Sequence, residues 1–273
     1  SGLGDKPDWV DQESAHYSND RYLTASAQGD SRQIADNRAL ANLAKVFQVS
    51  IVDKSVDFSE VRINQGQVEN RQNLSRVVNT NALQVLRGAR IAEHWQEPDS
   101  SQYTSLAIIE KKTAAAAFSA EINAADNFTR DAINYAASAP NPLLALNALE
   151  GARQRQVSRA NDNHNLRVVT GNDITPKYTV ESLTKKIRAG LSQLNFSANV
   201  NDTKYLETLQ SAVATVGANV VEQGEYKLNF AVEKQAVTQQ QAWYWQRGSI
   251  VLEVLDGDTV ISQQRHAFKV SAQ

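Results

Sequence analysis

Chemistry in a folded chain needs reactive side chains that converge, so the four histidines, His16, His94, His164 and His266, come first. They are scattered, with no metal-ligand spacing, and His164 has only Asp162 as an acidic companion in a polar stretch. Cysteine is absent, which removes thiolate metal sites, disulfides and cysteine nucleophiles. Asp126 and Asp131 stand five apart near Glu121 in a helical pattern and do not share a face, so a solvated face is expected there. No serine sits in a Gly-x-Ser-x-Gly setting. Gly29 and Gly66 are isolated and build no phosphate cradle. No catalytic residue, metal or cofactor is expected.

Residues suited to recognition are easier to find. Trp243-Tyr244-Trp245 would, in a strand, point both indoles to one side and the phenol to the other. The indole pair is then either core or, if it faces solvent, an anchor for a protein partner or a glycan strand. Trp9, beside Pro7 in an irregular leader, docks on a domain edge or meets a ligand. Arg153 and Arg155, in the run to Arg159, either bind an anion or partner or complement the carboxyl end of a helix.

These positions need elements to hold them. A chain of 273 residues, 41% apolar and 21% charged, can bury a sizeable core in one or two globular domains. A formal charge of −2 argues against a generalised nucleic-acid or anionic-membrane surface, and no apolar run approaches the roughly 20 residues of a membrane span. The chain opens at Ser1 without Met, as expected of a processed or truncated N-terminus. Tyr22–Gln28 reads as a strand ending at Gly29. An alanine-rich helix follows, with Asp30 or Ser31 as cap and Leu40, Leu43, Ala44 and Phe47 on one face. Gln48–Ile63 suggests a bent strand or hairpin, Asn64–Gln67 a turn, and 68–86 is ambiguous between helix and strand.

A strand to Trp95, a turn at Glu97–Ser100 and a return strand from Tyr103 to Ile109 lead into a helix from Lys111 to about Ser138. Asn141-Pro142 starts another helix that fades by Gln156. Polar residues then suggest a linker with a short strand at Val168-Val169. Beyond it come a helix, a strand over Asn195–Val200, a helix stopping at Gly217, and three strands with an Asp256-Gly257 turn. The expected class is α+β, two compact units, each a mainly antiparallel sheet covered by helices. The expected division is a leader at 1–20, domains at 21–156 and 177–273, and a linker at 157–176.

Several of these pieces together resemble the LPP-twenty family of bacterial envelope lipoproteins, relatives of which serve flagellar outer-membrane assembly. They are Pro7-Asp8-Trp9-Val10, the Tyr22–Gly29 strand, the helix through Asn37-Arg38-Ala39-Leu40, the Leu86–Trp95 strand and Tyr103–Lys111. The resemblance covers roughly residues 7–130. It implies a chain attached to lipid through an N-terminal Cys, which this sequence does not contain, held in the outer membrane and facing the periplasm. The function it implies is a non-catalytic scaffold or regulator of envelope assembly, with envelope proteins as partners. The alternative is a module binding peptidoglycan or another envelope polymer, or an activator of a cell-wall synthase. The second half is similar in architecture alone to small periplasmic modules of envelope-assembly proteins.

Overall fold

The computed structural model describes residues 5–47, 88–98 and 100–272, so the expectations for Gln48–Ile63, Asn64–Gln67 and 68–86 lie outside the described residues. The class is α+β, with sheets packed against helices. Two compact units divide the chain. Among the described residues the first takes 5–47, 88–98, 100–132 and 151–180, and the second takes 133–150 and 181–272.

Among the described residues the first unit is built on three antiparallel strands, β1 (Tyr22–Gly29), β2 (Arg90–Gln96) and β3 (Tyr103–Glu110), in the order β1-β3-β2. Alternation along β3 decides the two sides of the sheet. Ala107 and Ile109 meet α1 (Arg32–Ala44), the start of α2 (Lys111–Ser138) and the end of α3 (Pro142–Thr170), through Leu43, Phe118, Ile122, Leu166 and Val169. Leu106 and Ile108 face the other way and are covered by Trp9 and Tyr17, so the leader is a packed layer. Ser31 caps α1 by accepting from the amide of Ile34. Gly29 is required by close approach: a Cβ there would lie 2.6 Å from the amide nitrogen of Ala35. The expected apolar face of α1 is found, with Leu43 buried and Leu40 and Ala44 packed against it, but the helix ends at Ala44 and Phe47 is buried from the turn that follows.

One expectation for the helices fails. The linker foreseen at 157–176, with its strand at Val168-Val169, is helix as far as Thr170. The polar side chains that suggested a loop are used internally. Asn165 and Arg159 are buried, and Asn163 accepts from the amide of Ile174 at 2.7 Å.

The second unit orders its strands β5-β4-β6-β8-β7, with β9 along the other side of β8. α4 (Val180–Leu191) precedes β4 (Asn195–Val200), and α5 (Leu206–Val216) leads through Gly217, in the left-handed region at φ 93°, to β5 (Asn219–Val220). β6 (Tyr226–Lys234), β8 (Trp243–Asp256) and β9 (Thr259–Ala272) form the expected antiparallel meander. Two features were not foreseen. β4 runs parallel to both β5 and β6, and β7 (Thr238–Gln240) folds back on the first residues of β8. The core lies between α5 and one face of the sheet, with Leu194, Phe196, Leu209, Val213, Tyr226 and Leu228 at its centre.

Candidate functional site

The five residues singled out for recognition do not belong to one unit. Trp9, Arg153 and Arg155 lie in the first, and Trp243 and Trp245 in the second. Trp9 is no surface anchor: it is buried in the leader layer, and its indole N–H donates to Glu93 Oε2 at 2.6 Å. Its place there follows from burial of a large apolar ring with its one polar atom satisfied. Arg153 and Arg155 are half-buried within α3, well before its carboxyl end, so they do not serve as the expected helix terminus. Arg155 reaches Glu121 at 3.5 Å.

Trp243 and Trp245 lie outside the core of the second unit. Their rings stand 6.4 Å apart at 33° to one another, and the Lys269 ammonium sits 4.0 Å from the centre of the Trp245 ring. Trp243 is exposed and Trp245 half-buried.

Two polar clusters were not visible as such in the sequence. On the sheet of the first unit, β2 carries a bulge between Ile91 and Glu93. Simple alternation from Ile91 would send Glu93 to the helix side. The bulge instead turns Glu93 to the leader side, where it meets Trp9, and brings His94 to the helix side. There, His94 Nε2 lies 2.8 Å from Asp36 Oδ1, and the Ser105 hydroxyl donates to that same oxygen at 2.6 Å. The second cluster joins α2 to α3. Arg159, only 2% exposed, donates through Nε to Asp126 Oδ1 at 2.7 Å and through its outer nitrogens to the carbonyls of Ile174 and Thr175. Gln156 donates to Asp126 and to Thr129. Asp126 is therefore a partner for a buried cation and not the solvated carboxylate expected. Near it, Asp162 is half-buried; burial and the Glu121 charge push its carboxyl up to about 6, with Arg155 pulling the other way.

The leader, the strands and α1 also make up the stretch that the family comparison picks out: the model of the LPP20 lipoprotein matches residues 7–110. Over these residues the chain is similar to the LPP20 lipoprotein family. The match starts at Pro7, where the leader begins to pack, and stops at Glu110, where β3 gives way to α2. It bears out the resemblance over this part. The LPP20 lipoproteins are not a known enzyme family, and a lipoprotein family points to the cell envelope. No curated protein matches the chain. Among solved structures, the secreted protein HP1454 of the human pathogen Helicobacter pylori is similar at a TM-score of 0.45 and 14% identity, over 90% of this chain and 87% of that one.

Within the LPP20 portion the Ser–Asp–His order decides what Asp36, His94 and Ser105 can do. A serine nucleophile needs the histidine on its own oxygen, with the carboxylate behind the ring. Here the carboxylate stands in the middle and accepts the hydrogen bond of the hydroxyl, and Ser105 is fully buried. The cluster fastens α1 to the sheet. Among the described residues no group of His, Asp and Glu is placed to hold a metal ion, and no helix is long and apolar enough to cross a membrane.

Proposed function

We propose that the chain is a non-catalytic lipoprotein, lipid-anchored on the periplasmic face of the bacterial outer membrane, that acts as a scaffold or regulator of envelope assembly through protein–protein contacts. The observation that carries this reading is the match of residues 7–110 to the LPP20 lipoprotein. The arrangement around Asp36 supports it, since there the serine, carboxylate and imidazole that meet fix a helix and the Ser105 hydroxyl is held by the carboxylate. Fractionation of cells that make the full-length precursor in the presence of labelled lipid tests it. The expected result is an acylated protein in the outer-membrane fraction; an unacylated protein in the cytosol would overturn it.

A second reading, binding of peptidoglycan or another envelope polymer, is favoured by the exposed ring of Trp243. Sedimentation with purified sacculi separates the two, because a scaffold for proteins stays in the supernatant.

A further inference from the structure

The end of the second unit's sheet, where β7 and β8 begin and β9 ends, has three properties that occur together. First, large apolar side chains are exposed on it from every side. Trp243 is 40% exposed on one face, Tyr244 and Val270 are 48% and 56% exposed on the other, and Val237 in the approach to β7 is 57% exposed. The helix-covered core reaches along β8 only to Leu252, so both faces of this end stand clear of it. Second, the surface has one sign of charge. From Lys234 to Leu252 and from Thr259 to Ala272 the chain contains no Asp or Glu. Arg265 is tied to Glu233, which leaves Arg247 and Lys269 with no carboxylate partner among the described residues.

Third, those two cations are direct cross-strand partners, Arg247 on β8 opposite Lys269 on β9. Like charges placed so destabilise a sheet pair. The Lys269 ammonium leans over the Trp245 ring, which satisfies one cation and leaves the guanidinium.

We propose that this end of the sheet is a contact for an anionic lipid surface. Trp243, Tyr244, Val237 and Val270 enter the headgroup region, and Arg247 and Lys269 lie against lipid phosphates. Tryptophan and tyrosine suit that layer, having an apolar body and a polar tip, and cations beside them gain from the negative surface potential. A phosphate between Arg247 and Lys269 removes the repulsion that the bare hairpin carries. A glycan strand fits less well. It stacks on one aromatic face, whereas here the apolar groups lie on both faces and the ring of Trp245 is already covered by Lys269. The contact needs no acylation, so it stands or falls apart from the lipoprotein reading.

The test uses this chain without a lipid anchor and vesicles of phosphatidylglycerol with phosphatidylethanolamine, against vesicles of phosphatidylcholine alone. The expected result is sedimentation with the anionic vesicles, weakened by salt, with a blue shift of tryptophan emission and quenching by lipids brominated near the headgroup end of the acyl chain. Arg247→Glu separates binding from folding. It turns the repulsive cross-strand pair into an attractive one, so thermal stability is kept or raised, while vesicle affinity falls about 25-fold, about fivefold for each unit of charge. Trp243→Ser is expected to lose the quenching. Failure of the unaltered chain to bind anionic vesicles would overturn the proposal. So would undiminished binding by Arg247→Glu, or sedimentation with sacculi but not with vesicles.

Discussion

The guanidinium of Arg159 is buried on condition that acceptors converge on it, and Asp126 with the carbonyls of Ile174 and Thr175 supplies them. Removing the cation leaves a partly buried carboxylate and two carbonyls without donors. Arg159→Ala is expected to cost about 3 kcal/mol in urea denaturation, and the double change Arg159→Met with Asp126→Leu is expected to recover most of it. Asp162 works in the opposite sense. Its folded form holds a proton up to about 6, above the value of the unfolded chain. Below pH ~4 both states are protonated and the site is neutral to stability. As pH rises from ~4 to ~6 the unfolded chain ionises first, so stability falls, and above ~6 the penalty is constant. Asp162→Asn removes that dependence. At pH 7.5 it is expected to stabilise the protein by about 1 kcal/mol, discounted for partial exposure, with the two curves meeting below pH ~4. Denaturation curves across pH measure both values.

At the scale of elements, strong periodicity and clear stop signals made most boundaries legible. β4 begins at Asn195 and ends at Val200 as expected, and α5 stops at Gly217. The Asp256-Gly257 turn is displaced by one residue, because Asp256 pairs with Thr259 and leaves Gly257-Asp258 as the loop. Arg159–Asn165 misled for a physical reason: buried hydrogen bonding and solvation demand the same residue types, and composition alone does not tell them apart. The clusters around Asp36 and Arg159 were hidden for a related reason. Each joins residues from elements distant in sequence, and the first also depends on the bulge in β2.

The parallel pairing of β4 was hidden because it depends on partners brought from elsewhere and not on its own alternation. Close packing between strands gives a direct test at this scale. A Cβ on Gly248 would stand 2.2 Å from the Glu233 carbonyl and 2.5 Å from the Phe268 ring across the pair. Gly248→Ala is therefore expected to cost about 1–3 kcal/mol, read as a lowered thermal midpoint.

For the whole molecule, the LPP20 match ends with β3, so the matched stretch includes the leader layer, β1, β2, β3 and α1. Trp9 secures that layer, and Trp9→Ala is expected to cost about 3–5 kcal/mol. Hydrogen exchange should quicken at the amides of β1 to β3 and stay unchanged in β6, β8 and β9, which belong to the other unit. The two outer rims of the second sheet are very unequal. β5 offers two residues, whereas β9 runs for 14, and among the described residues no further strand lies along it. Two copies joined along β9 would form a two-fold pair in which each β9 is covered by the other.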